Sequence, residues 1–137
     1  MSVYLYTGEG GGKTTNALGL AFRCIGHKKK VVIIRFLKCW KNTGEYKISM
    51  ESCIKDYYKI YRFGREGWHG FDNLTDDDKK LCGNALKFTG EISHKEKPHL
   101  LVLDEVNLSC YLKLPDVNNV VETLKRIKKQ NEKQPSE

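Results

Sequence analysis

The chain has 137 residues, 39% of them hydrophobic and 30% charged, which is enough for one domain with a buried core and ordinary for a globular protein. Its cysteines (Cys24, Cys39, Cys53, Cys82 and Cys110) are odd in number and contain no C-x-x-C pair, which speaks against a disulfide framework and a structural zinc site. No apolar run reaches bilayer length, and the opening Met1-Ser2-Val3-Tyr4 lacks the regions of a signal peptide, so a cytoplasmic chain with no membrane partner is expected. The net charge of +7 resides in lysine groups at 28–30 and 125–133 without interleaved aromatics, which suit solvated faces and the attraction of a polyphosphate better than nucleic acid.

Val3-Tyr4-Leu5-Tyr6 is a β-prone run that predicts a short first strand. Behind it stands Thr7-Gly8-Glu9-Gly10-Gly11-Gly12-Lys13-Thr14-Thr15. The glycines allow positive φ and bring backbone N–H groups close to an anion. In this pattern Lys13 reaches β- and γ-phosphate oxygens, and the hydroxyl of Thr14 sits on a phosphate-bound Mg²⁺. Gly12-Lys13-Thr14 is in register with the P-loop pattern G-x-x-x-x-G-K-[ST], and Thr7 stands where its first glycine would be. A helix from about Lys13 to Ile25, with Ala17, Leu18, Ala21, Phe22 and Ile25 at helical spacing and Gly26 as its stop, would point its positive end at the same anion.

Val31 to Leu37 is almost continuously apolar and β-branched, the pattern of a parallel strand covered on both faces, and completes a βαβ unit. Lys38 to Glu45 reads as a loop at the phosphate edge of the sheet, and Tyr57 to Phe63 as a weaker, edge-lying strand. Gly64-Arg65-Glu66-Gly67-Trp68-His69-Gly70-Phe71 follows as a glycine-rich loop suited to covering a ligand. Thr75 then caps a helix whose first turn holds Asp76, Asp77 and Asp78, with Leu81, Ala85, Phe88 and Ile92 as its buried stripe. The acidic triplet suits the helix dipole better than a metal.

His99-Leu100-Leu101-Val102-Leu103-Asp104-Glu105 is an apolar strand ending in carboxylates, the Walker B arrangement that sets Asp104 beside a phosphate loop and its Mg²⁺. A last helix opens near Pro115-Asp116 with Val117, Val120, Val121, Leu124 and Ile127 on one face. Together these patterns predict an α/β, RecA-like P-loop three-layer fold, a mainly parallel sheet flanked by helices. Residues 1–127 form one nucleotide-binding domain, and 128–137 a polar, fraying tail.

A P-loop alone does not name a reaction. Glu105 is placed to activate water, as in a RecA-like ATPase; Ser109 and Cys110 lack a placed histidine for nucleophilic catalysis. Thr7 to Thr15, followed by Ala17-Leu18-Gly19-Leu20-Ala21-Phe22-Arg23 and Gly26-His27, resembles the P-loop ATP:corrinoid (cob(I)alamin) adenosyltransferases, whose loop reads T-G-N-G-K-G-K-T-T. Arg35-Phe36-Leu37-Lys38 with Trp40 and Gly44-Glu45 resembles the family's Q-F-[IL]-K…W…G-E segment. Leu103-Asp104-Glu105-Val106-Asn107 resembles its L-D-E-[IL]-N Walker B. The likeness runs in order to about residue 110.

The resemblance implies transfer of the 5′-deoxyadenosyl group of ATP to cobalt(I) of a corrinoid, with release of triphosphate. It implies that Thr7, Gly8, Glu9, Gly10, Gly11, Gly12, Lys13, Thr14 and Thr15 cradle the triphosphate. Thr14, Asp104 and Glu105 would form the Mg²⁺ environment, with Lys38 and Asn107 as further site residues. Trp68, in the position of a family phenylalanine, would hold the corrinoid; His69 reads as an exposed loop residue rather than a cobalt ligand. A reductase supplying Co(I) and a second copy of the chain are the further partners expected. Glu9 and Gly11 stand where the family has asparagine and lysine, so the Glu9 carboxylate must face Mg²⁺ or solvent. The family's terminal strand with its T-G-R motif has no counterpart, which suggests a truncated or divergent chain. A nucleotide-binding relative without turnover is the remaining alternative.

Overall fold

The computed structural model describes residues 1–66, 70 and 72–133. At its centre lies β1 (Val31–Phe36), flanked in parallel by β2 (Tyr58–Phe63) and β3 (Leu100–Asp104) in the order β2-β1-β3. Every residue of β1 is buried, as a parallel strand covered on both faces requires. Alternation along the strand divides it between two cores. Val31 and Ile33 pack with Ala21 of α1 (Lys13–Gly26) and with Tyr58, Leu100 and Val102. Val32, Ile34 and Phe36 pack with Cys82, Ala85 and Ile92 of α3 (Asp76–Glu96), against which α5 (Val117–Glu132) rests. Each such aliphatic side chain contributes about 1.5–3 kcal/mol on full burial. The result is the predicted α/β architecture: helices on both faces of an all-parallel open sheet, consistent with a RecA-like P-loop fold.

The same alternation fixes the site. Arg35 follows Val31 and Ile33 on the α1 face, and the register sets it beside Asp104 of β3. The first turn of α1 therefore meets the carboxyl end of β3 over Arg35. At the other helix, the Asp78 carboxylate accepts the Thr75 backbone N–H at 2.8 Å, as the cap pattern predicts. It also takes a two-pronged ion pair from Arg65, at 2.8 Å to each oxygen. Asp78 of the acidic first turn is thus tied into the structure.

The structure departs from the sequence expectations in several places. Val3 to Tyr6 forms no strand: Val3, Tyr4 and Leu5 are 62%, 73% and 70% exposed, and the outer edge of β3 carries no strand among the described residues. A parallel strand needs cover on both faces, and no described helix supplies it there. By contrast, α1 stops at Gly26 as expected, where the His27 and Lys28 N–H groups turn back onto the Cys24 and Ile25 carbonyls. A short α2 (Gly44–Ile48) interrupts the expected loop, and α4 (Val106–Tyr111) follows β3 directly. On α5, Val117 and Val121 face solvent, while Val120, Thr123 and Ile127 are buried; the helix also runs on to Glu132, into the stretch expected to fray. Gly67, Trp68, His69, Phe71 and residues 134–137 lie outside the described residues. No helix among the described residues is long and apolar enough to cross a membrane.

Candidate nucleotide site

The loop from Thr7 to Gly12 stands exposed at the carboxyl edge of the sheet and feeds directly into α1. Gly8 at φ 134° and Gly12 at φ 97° occupy backbone conformations that strain any other residue. Gly12 is the cap of α1, and its carbonyl accepts the Asn16 N–H at 2.8 Å. Lys13 folds back into the loop, where its Nζ donates to the carbonyls of Gly8 at 2.7 Å and Gly10 at 2.6 Å. An open hollow beside it is lined by Leu5, Tyr6, Thr7, Gly11, Gly12, Lys13 and Asn16. Glu9 is exposed, as its place among anionic groups demands, and Thr15 is exposed as well.

Asp104 ties the loop to the sheet. Its Oδ1 accepts the Thr14 hydroxyl at 2.9 Å, across 90 residues of sequence. Its Oδ2 lies 3.5 Å from Arg35 Nε and 3.7 Å from Lys38 Nζ, and is a buried oxygen with no hydrogen bond. Lys38 Nζ also meets Glu105 Oε1 at 2.7 Å and the Thr14 hydroxyl at 3.3 Å. Thus Thr14, Lys38, Asp104 and Glu105 converge at the carboxyl edge of the sheet. Asn107 lies one helical step on, and its Nδ2 donates to the Tyr6 carbonyl at 3.2 Å, pinning the entry to the loop. Trp68 falls outside the described residues.

These donors suit a hard divalent cation. A hydroxyl and carboxylates are oxygen ligands of the kind Mg²⁺ takes, and Mg²⁺ usually binds through one or two protein groups plus phosphates and water. Among the described residues no group of three or more His, Cys, Asp or Glu forms a self-sufficient metal cage. The buried, unbonded Asp104 Oδ2 is an oxygen with capacity to spare.

Two residues of this constellation carry roles that sequence reasoning missed. Arg35, 2% exposed, donates to Glu45 Oε1 at 2.6 Å and to the Thr43 hydroxyl at 3.3 Å while facing Asp104. Burial pushes the Glu45 carboxyl up, but a hydrogen bond from its own backbone and the Arg35 guanidinium outweigh this and hold it below the ordinary carboxylate range. The available signal was an arginine within an otherwise apolar buried strand, which requires a charged partner nearby.

The family described as ATP:corrinoid adenosyltransferase BtuR/CobO/CobP matches residues 1–134. A corrinoid adenosyltransferase of Escherichia coli (strain K12) is 49% identical over 119 residues, covering 84% of this chain and 58% of the relative. One from Sinorhizobium sp is 30% identical over 129 residues, covering 92% of this chain and 58% of the relative. One from Pseudomonas aeruginosa is 29% identical over 116 residues, covering 82% and 56%. The chain belongs to the ATP:corrinoid adenosyltransferase family, and it spans between half and two thirds of the length of these curated relatives.

Proposed function

We propose that this member of the ATP:corrinoid adenosyltransferase family moves the 5′-deoxyadenosyl group of ATP to a Co(I) corrinoid and releases triphosphate. The observation that carries the reading is the Thr14–Asp104 hydrogen bond of 2.9 Å, which joins a glycine-rich, lysine-bearing loop to the end of an apolar strand. In this reaction the electron pair of Co(I) attacks C5′, the C5′–O bond breaks, and triphosphate departs with the bonding pair while cobalt becomes formally Co(III). No protein base is needed, which suits a site that shows no nucleophile–histidine pair among the described residues. The chain's work is to hold the leaving group. The N–H groups of Gly8 to Gly12 and the positive end of α1 face the phosphates, and Lys13 exchanges its two loop carbonyls for phosphate oxygens. Thr14, Asp104 and Glu105 would hold Mg²⁺, which when bound neutralises charge on the departing triphosphate. Trp68 and its glycine-rich neighbours would hold the corrinoid. Among the described residues, Cys39, Trp40, Lys41, Asn42, Thr43 and Glu66 line a separate open hollow.

The alternative of water activation by Glu105 is disfavoured because that carboxylate, 2.7 Å from Lys38 here, would be taken up in holding Mg²⁺ once nucleotide binds. Product analysis decides between the two. ATP, Mg²⁺ and chemically reduced cobalamin should yield an adenosylated corrinoid and triphosphate in equal amounts. ADP and phosphate formed without corrinoid would instead establish an ATPase, and ATP binding with no turnover in either assay would establish a nucleotide-binding relative. Lys13→Ala should weaken ATP binding about tenfold or more, since hydrogen bonds from a charged donor contribute about 1.5–3 kcal/mol; equilibrium binding of labelled ATP measures it.

A further inference from the structure

Lys38 stands just past β1, where the chain turns sharply. Leu37 has φ 63°, and the Lys38 N–H donates to the Phe36 carbonyl at 2.7 Å. This turn sends the side chain back over the carboxyl edge of the sheet. There its Nζ lies 2.7 Å from Glu105 Oε1, 3.3 Å from Thr14 Oγ1 and 3.7 Å from Asp104 Oδ2. The same three residues are those that would hold a divalent cation. An ammonium and a hard cation both seek several oxygens, and one position does not admit both.

We propose that Lys38 is a tethered counter-cation. It holds the Thr14–Asp104–Glu105 cluster in order until a divalent ion arrives with nucleotide, then yields those oxygens and turns to the triphosphate. The proposal deepens the nucleotide reading of this site and does not depend on which acceptor receives the adenosyl group. The local charge count supports it. Carboxylates of Glu45, Asp104 and Glu105 face the cations Arg35 and Lys38, so three negative groups meet two positive ones. Arg35 is committed: it is 2% exposed and paired with Glu45 at 2.6 Å. Lys38 is the mobile one, with 29% of its side chain exposed and a flexible four-carbon stem. While it remains in place the cluster carries too little net negative charge to collect a divalent ion by itself. Nucleotide then both brings the ion and offers Lys38 new anionic partners, so metal and nucleotide enter together.

The test titrates Mn²⁺ into the full chain without nucleotide and reads free Mn²⁺ by electron paramagnetic resonance. Lys38→Met should bind Mn²⁺ about tenfold or more tightly than the wild type, because removal of one positive charge within 4 Å of the ligands is a strong local change. Lys38→Arg, which keeps the charge and grips carboxylates with a planar fork, should show no gain. Lys38→Met should also bind ATP more weakly in the presence of Mg²⁺. Unchanged or weaker Mn²⁺ binding by Lys38→Met overturns the proposal, as does equally tight wild-type binding with and without ATP. Lys38→Gln gives the same comparison should the methionine variant fail to fold. A chain that makes no adenosylated corrinoid would defeat the transfer reading and leave this Mn²⁺ comparison standing.

Discussion

Arg35 shows how much one side chain decides at the residue scale. It lies inside a strand that is otherwise apolar, and its two neighbours are acids: Glu45 at 2.6 Å and Asp104 at 3.5 Å. Burying a guanidinium is tolerable only because both are present, and the converse also holds. Replacing it in Arg35→Met leaves Asp104, which is 9% exposed, and Glu45 without their buried counter-charge. Breaking a buried pair in this way costs about 3 kcal/mol or more, so the urea midpoint at neutral pH should fall clearly. Acid adds a second signature. The Glu45 carboxyl is held below its ordinary range, so its contribution to stability is present above that range and is lost as pH falls through the depressed value. In Arg35→Met that linkage is weakened, so the variant should lose less stability than the wild type between neutral and acid pH. Urea titrations at several pH values measure both. Parallel loss in the two proteins would show that Arg35 does not set the Glu45 titration. Arg35→Gln, which restores the residue of the family segment, should fall between them because it keeps a hydrogen-bond donor.

At the scale of elements, the ends of β1 and β2 are brought together by one glycine. A side chain at Gly64 would place its Cβ 2.7 Å from both the carbonyl carbon and the oxygen of Leu37, atoms of the backbone that do not move aside. The Leu37 N–H bonds to the Phe63 carbonyl at 3.0 Å, and Leu37 is the residue whose positive φ aims Lys38 at the site. Gly64→Ala should therefore cost about 1–3 kcal/mol in chemical denaturation, in the range of overpacking changes. It should also lower ATP affinity, because relief of the clash displaces Leu37 and with it Lys38. Stability equal to the wild type would mean that this crossing is looser than its geometry. The contrast with the phosphate loop shows what a sequence makes legible. Gly8, Gly12 and Lys13 act through neighbours in the chain, and the run Leu100 to Leu103 declares a strand by composition alone, although of β3 only Asp104 is buried. The Arg35–Asp104 register and the Gly64–Leu37 approach arise between segments far apart in sequence, so no local pattern contains them. Val3 to Tyr6 misleads for the same reason: its composition is that of a strand, but pairing depends on what covers it. On α5, helical spacing placed five apolar residues on one face, while contact with α3 reaches only a narrower stripe around Val120 and Ile127.

For the whole molecule, the asymmetry of the sheet is the dominant feature. β1 is hydrogen-bonded on both sides and buried throughout, whereas β3 bonds to β1 on one side only among the described residues. Its other edge presents unpaired backbone groups of an apolar strand, the kind of surface that recruits a further strand. Exposed Val3, Tyr4 and Leu5 lie in the same chain, linked to the neighbourhood of β3 through the Asn107–Tyr6 hydrogen bond. Amides of β1 should thus exchange with solvent only through global unfolding, while outward-facing amides of β3 exchange through local fluctuation. Hydrogen exchange read by mass spectrometry on dilute protein should show deuterium entering the 100–104 segment well before the 31–36 segment. Equal, slow exchange in both would mean that the β3 edge is covered in solution. Dilution then identifies the cover. Protection that disappears on dilution belongs to a second copy of the chain, whereas protection that persists belongs to the chain's own residues 3–6. In that second case the phosphate loop would hang from a strand pinned against β3, and Val3→Asp, which places a charge in that strand, should release both the protection and a large part of the ATP affinity.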